Sequence, residues 1–209
     1  MPTFSEPLEK IYKNDYSSSP DADADEGGDN PFPKWIEGVD TTYAPYLPTS
    51  LMRLSKCLKM ADVGPNDVLL DLGSGDGRFC GVAVREFGVR RAIGVESDEE
   101  LVEISKDLAE RALTLADTPS TSNPYITRCE FHAGDLRDSS LHPVITDPSI
   151  TVLVIFMSPE FAREHEHLIL KHYNRGARIV SGVFDMSDLS GLKLKCKDDP
   201  DGIFVYEKP

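Results

Sequence analysis

The chain has 209 residues, with 36 acidic side chains against 22 basic ones, a formal net charge of −14 and a sequence pI near 4.7. At 40% hydrophobic it can bury a full core as one domain with a tail. The acid excess excludes a broad phosphate-binding footprint, so DNA is not expected as a partner and RNA is disfavoured; a basic protein surface suits the charge, with plain solubility as the alternative.

Met1 to Asn30 carries two lysines, no arginine and eight acids, and ends in SSSPDADADEGGDN. Low hydrophobicity and one sign of charge predict a disordered acidic tail over residues 1–30, or an acidic arm for a basic substrate, with the folded domain over 31–209. Pro31 to Thr49 is rich in proline and aromatic residues, including Trp35, Tyr43 and Tyr46. Proline denies this stretch a helix or a central strand, so it reads as an ordered flap, packed over the core or over a ligand. Thr49 is expected to cap a helix running to Ala61, with Leu51, Leu54, Leu58 and Ala61 on its apolar face.

Val68 to Leu72 reads as a buried strand that runs into a glycine turn. The pattern is D-x-G-x-G-x-G: Asp71, Gly73, Gly75 and Gly77, with Ser74 and Asp76 between the glycines. A strand feeding such a turn and then a helix opens the nucleotide site of a doubly wound α/β fold. A dinucleotide fingerprint would need glycine where Arg78 stands. A carboxylate at Asp71 would repel a pyrophosphate and attract an ammonium, which S-adenosylmethionine offers; the alternative is a glycine-rich turn with no ligand. A helix is predicted from Gly77 to Phe87, with Phe79, Val82, Ala83 and Phe87 toward the sheet, then a strand from Arg91 to Glu96. Glu96 closes that second strand, where an acid accepts hydrogen bonds from both ribose hydroxyls; the alternative is a surface acid opening a helix. Ser97 and Glu100 fit a capping box, ahead of a helix with Leu101, Ile104, Leu108 and Ala112 as its buried stripe.

Ala116 to Tyr125 is rich in turn residues and reads as a loop. Strands are predicted at Thr127–His132, Ser149–Met157 and Ala177–Phe184, the second apolar throughout, as in the middle of a parallel sheet. Ser158 with Pro159 should start a helix. Leu192–Cys196 and Ile203–Tyr206 flank the turn signal Asp198–Gly202 and read as an antiparallel hairpin.

DLGSGDGR followed by IGVES resembles the class I S-adenosylmethionine-dependent methyltransferases. Within that superfamily the resemblance is to a small group of protein-lysine methyltransferases whose animal members modify the mitochondrial adenine nucleotide translocase and the ATP synthase c subunit. It runs from Tyr43 to Asp188 and includes YAPYLPTS and RIVSGVFDMSDL. It implies an α/β Rossmann-like fold with a seven-stranded mixed sheet in the order 3-2-1-4-5-7-6 and a C-terminal antiparallel hairpin. It also implies S-adenosylmethionine as cofactor, with Thr49, Asp71, Gly73, Ser74, Gly75, Asp76, Gly77 and Glu96 around it, Asp135 on the adenine amino group and Leu136 against the ring; for Asp135 the alternative is an Asx turn closing its strand.

Where many amine methyltransferases carry (Asp/Asn)-Pro-Pro-Tyr, this chain has Met157-Ser158-Pro159-Glu160. That departure and the aromatic flap suggest a lysine channel built from Tyr46, Phe156, Phe184 and Asp185. A small-molecule or RNA methyltransferase and a non-catalytic cofactor-binding scaffold are the competing readings. The animal relatives carry an N-terminal hydrophobic targeting segment, which the opening residues here do not match. The longest apolar run, Val152 to Met157, is far below the ~20 residues that span a bilayer, so no membrane span is expected. A cytoplasmic monomer is expected, with nucleus or mitochondrion as alternatives. Cys57, Cys80, Cys129 and Cys196 form no C-x-x-C pair, so neither a disulfide framework nor a metal is expected.

Overall fold

The computed structural model describes residues 6–12, 48–114 and 128–209. Its elements are α1 (Glu6–Ile11), α2 (Leu51–Met60), β1 (Val68–Leu72), α3 (Arg78–Phe87), β2 (Arg91–Glu96), α4 (Glu99–Thr114) and β3 (Cys129–Ala133). After a 3-10 turn at Ser139–Leu141 come α5 (His142–Ile145), β4 (Val152–Ile155), α6 (Pro159–Glu164), α7 (Glu166–Asn174), β5 (Arg178–Gly182), β6 (Leu194–Asp198) and β7 (Ile203–Tyr206). Among the described residues seven strands form one sheet, in the order β3-β2-β1-β4-β5-β7-β6.

Strands β1 to β5 run parallel, and β7 pairs antiparallel with both β5 and β6. Every residue of β1 and β4 is buried, as two covered faces require. One core layer joins Leu54, Leu58, Val82, Ala83, Ala92 and Val154 under α2, α3 and α4. The other joins Leu70, Ile93, Leu153, Phe161, Ile169 and Ile179 under α5, α6 and α7. The switch of strand order falls beside β1, so the crevice opens at its carboxyl end, above Asp71.

Several local expectations are corrected. Part of the stretch expected to be disordered is helical: α1 sets Leu8 and Tyr12 into the core. The rest of that tail and the loop at 116–125 lie outside the described residues. Ser50, not Thr49, caps α2, its side chain accepting from Arg53 N at 3.3 Å. Asp98 takes the capping place assigned to Ser97, accepting from Glu100 N at 2.8 Å, while Ser97 Oγ turns back to Glu96. The buried residues of α4 are Val102, Ser105, Ala109, Ala112 and Leu113: Ala112 lies inward as expected, while Val102, Ser105 and Ala109 take the places expected for Leu101, Ile104 and Leu108, one residue round. Small residues prevail because α4 lies close against α3: a Cβ on Gly77 would meet Ser105 Cβ at 2.7 Å. The strand at 149–157 keeps only Val152–Ile155, β3 and β6 start two residues later than predicted, and β5 stops at Gly182.

Candidate active site

The glycine turn is held by β2. Gly73 N and Ser74 N both donate to Val95 O, at 2.9 and 3.0 Å, and Gly77 N donates to Ser74 O at 2.9 Å. Gly73, Gly75 and Gly77 have φ of 75°, 53° and 72°, a region costly for residues with a Cβ. At Gly73 the missing side chain leaves bare backbone facing the crevice and the Met157 thioether. Gly77 instead serves packing, because a Cβ there would also strike the Phe131 ring.

Three carboxylates converge on this turn. Asp71 is the next-to-last residue of β1, is 3% exposed, and its carboxylate receives no hydrogen bond among the described residues. Burial, and then the neighbouring Glu96 and Asp76 charges, push its carboxyl well above the usual range. A buried carboxylate without a cation is costly, and a ligand bringing positive charge to this place would offset that cost. Glu96 closes β2: its Oε2 accepts from Gly75 N at 2.9 Å, and its Oε1 from Ser97 N at 2.7 Å and Asp98 N at 3.1 Å. A carboxylate has about four acceptor positions, so Oε2 keeps capacity toward the crevice for a hydroxyl. Asp76 is not free for a ligand: its oxygens accept from Arg78 Nε at 2.9 and 3.0 Å and from Arg78 Nη2 at 2.6 Å. Ser74 Oγ is buried with no partner among the described residues. The converging acids disfavour a phosphate at the bare backbone of the turn and suit a ligand with an ammonium, a sulfonium and a vicinal diol.

The other expected site residues divide. Tyr46, with Trp35 and Tyr43, lies outside the described residues. Thr49 presents its carbonyl to Arg78 Nη1 at 2.7 Å. Asp135 is turned to its own loop, accepting from Arg137 N at 2.8 Å and pairing with the Arg137 guanidinium. Those Arg137 hydrogen bonds lower its carboxyl to about 2. Leu136 borders a cleft of about 190 Å³ with His142, His165, Leu168 and Lys171.

Phe156 follows β4 and packs on Phe79 with ring centroids 5.0 Å apart, under the Arg53 guanidinium at 5.4 Å. Phe184 is half-buried, and its carbonyl accepts from Ser181 Oγ at 2.6 Å. Asp185 accepts from Tyr206 Oη at 2.7 Å, from Ser187 N at 2.8 Å and from Ser187 Oγ. Its partial burial is outweighed by these bonds, which hold the carboxyl below its ordinary range. Asp185 is therefore tied into its loop at the carboxyl end of β5. Sequence reasoning missed Arg53, Arg78 and Met157. The alternation of opposite charges across Gly77 signalled the Asp76–Arg78 pair, whereas nothing local marked Arg53 or Met157.

The loops at the carboxyl ends of β1, β2, β3, β4 and β5 carry Asp98, Asp138 and Asp188 besides the acids above, against the basic residues Arg137 and Lys193, and the first turns of α4 and α6 add Glu99, Glu100 and Glu160. Among the described residues no group of His, Cys, Asp and Glu is arranged to hold a metal, and no helix is long and apolar enough to cross a membrane.

The family described as ANTKMT methyltransferase domain matches residues 71–193. A protein-lysine N-methyltransferase of Saccharolobus islandicus is 26% identical over 144 residues, 69% of this chain and 79% of that one. Among solved structures, an RNA methyltransferase of Salinibacter ruber in complex with S-adenosyl-L-homocysteine superposes with a TM-score of 0.60 at 26% identity, over 78% of this chain and 94% of that one. A methyltransferase of Thiobacillus denitrificans shares the fold at a TM-score of 0.50 and 19% identity, over 65% of this chain and 49% of that one.

Proposed function

The chain belongs to the ANTKMT methyltransferase domain family and is an S-adenosylmethionine-dependent methyltransferase, and on that footing we propose that its acceptor is a lysine side chain of a protein. The observation that carries the acceptor class is the likeness to the protein-lysine N-methyltransferase of Saccharolobus islandicus, which spans most of both chains. The predominance of acids along the carboxyl edge supports the same reading, because a basic polypeptide is drawn to it and a polyphosphate is not.

When bound, S-adenosylmethionine supplies a methyl activated on a sulfonium. Asp71 is proposed to face the ammonium of the amino-acid end, and Glu96 the ribose hydroxyls. Asp135 and Leu136 are proposed to frame the adenine, which requires Arg137 to yield part of its hold on Asp135. Phe156 and Phe184, with Tyr46, are proposed to flank the acceptor. The task at that position is deprotonation, since a free lysine has a pKa of about 10.4. An apolar sleeve beside a cation lowers that value by desolvation and like charge, so the proton leaves to water with no dedicated base. Alignment of amine, methyl carbon and sulfur then supplies most of the acceleration.

A second reading, methylation of RNA, is favoured by the likeness to the Salinibacter ruber RNA methyltransferase. The test is transfer of labelled methyl into cell extract treated with protease or with nuclease, followed by acid hydrolysis. Label lost with protease and recovered as methyl-lysine supports the proposal. Label that survives protease and disappears with nuclease overturns it.

A further inference from the structure

Arg78 and Asp76 form a buried ion pair, with side chains 7% and 3% exposed, at the entry to α3. Asp76 stands between Gly75 and Gly77, in the middle of the turn. The grip on it is complete on one side: Arg78 donates to it from backbone N at 3.2 Å, from Nε to both oxygens and from Nη2. Nη1 reaches the other way, to the carbonyl of Thr49, ahead of α2. The same guanidinium lies 5.9 Å from the centre of the Tyr12 ring, just past the end of α1. Tyr12 is itself seated in a slot that exists only because residue 81 is glycine; a Cβ there would run into the phenol oxygen.

Asp76 is the residue whose anchoring sets the turn on either side of it. With Asp76 fixed, Gly75 is held at φ 53° and its N–H is delivered to Glu96 Oε2. The pairing also neutralises one of the three converging carboxylates, which leaves Asp71 and Glu96 as the charges that meet the ligand. We infer that Arg78 is a positioning residue for the cofactor turn: it holds Asp76 so that Gly75 and Glu96 keep their binding geometry, and it ties that geometry to α1 and to the lead-in of α2. The inference rests on the cofactor assignment proposed above. It makes cofactor affinity depend on contacts from Tyr12 and Thr49, neither of which has to touch the ligand.

The decisive probe is S-adenosylhomocysteine binding to the full chain by calorimetry, with hydrogen exchange at the Gly75 amide as a second readout. Arg78→Lys keeps the charge and loses the fork that spans Asp76 and Thr49. Asp76→Asn keeps the shape and loses the charge. Each is expected to weaken S-adenosylhomocysteine about tenfold or more and to speed exchange at Gly75 under conditions where circular dichroism shows the variant folded; Asp76→Asn, which leaves the buried Arg78 charge unpaired, should also lower the unfolding midpoint. In turnover, KM for the cofactor should rise by more than kcat falls. Should Arg78→Met fail to fold, these two variants still decide the matter. Parent-like affinity and parent-like Gly75 protection in both variants overturn the inference. A parent chain that binds no S-adenosylhomocysteine would instead sink the cofactor assignment itself, so the two failures are distinguishable.

Discussion

The thioether of Met157 stands where a side chain on Gly73 would have to go, 2.7 Å from the position of its Cβ. The end of β4 and the turn after β1 therefore close on each other across the crevice, one giving up a side chain and the other supplying a flexible one. Gly73→Ala is expected to lose on two counts. Its φ of 75° costs an alanine about 1–2 kcal/mol, and the new methyl displaces Met157. Denaturant unfolding should show the lower stability, and calorimetry a weaker S-adenosylhomocysteine complex. Adding Met157→Ala relieves the steric part and leaves the backbone part, so the double variant should recover some affinity without regaining parental stability.

Asp71 gives the site a proton linkage. Its folded pKa is raised, chiefly by burial and then by Glu96 and Asp76, so the folded state binds more protons than the unfolded one. Its contribution to stability is full below the unfolded value of about 3.9 and is lost as pH rises through the raised folded value. Asp71→Asn should remove that slope, and the variant without ligand should gain stability relative to the parent near neutral pH. A bound ammonium reverses the balance by favouring the carboxylate. Calorimetry of S-adenosylhomocysteine in buffers of different ionisation enthalpy should show proton release on binding to the parent, less of it in Asp71→Asn, and much weaker binding in that variant.

The strands near the crevice were legible because burial writes itself as apolar runs: β1 and β2 fall on the residues predicted for them. The ends of elements were less legible where polar neighbours compete. Thr49 and Ser50 are equivalent in type, and only the path of the chain decides that Ser50 caps. The helix before β3 turns its small residues inward because α3 approaches closely, which depends on residues far away in the chain. Spacing alone singled out Asp71, Glu96 and the glycines as candidates. Position at a strand end singled out Asp185 as well, but not the bond that ties it, which comes from Tyr206 on β7, 21 residues later.

Tyr206 supplies the next test. It is fully buried, and its hydroxyl donates to Asp185 while accepting from Met186 N at 2.6 Å. Tyr206→Phe keeps the ring and leaves the Met186 N–H without its acceptor, a loss of about 1–3 kcal/mol. Chemical denaturation should register that loss. If the loop after β5 shapes the acceptor side, KM for the protein substrate should rise in this variant, while S-adenosylhomocysteine affinity stays within about twofold of the parent.

The opposite end of the sheet offers a contrast in which stability changes and binding does not. Arg178 opens β5 and pairs with Asp67, and its Nη1 also donates to Asp62 O at 2.8 Å. Asp67 is held further by Thr151 Oγ at 2.7 Å and by Gly64 N at 2.8 Å. Both charged side chains are nearly nine-tenths covered. Removing one member of such a pair strands the other in a low dielectric, at a cost of about 3–5 kcal/mol. Arg178→Met should therefore lower the unfolding midpoint sharply. Because the pair lies at the amino ends of β1 and β5, a strand's length from the glycine turn, the folded variant should bind S-adenosylhomocysteine with the parent's affinity. A matched fall in affinity would mean that the two edges of the sheet are mechanically coupled, contrary to the rigid sheet on which the site assignment depends.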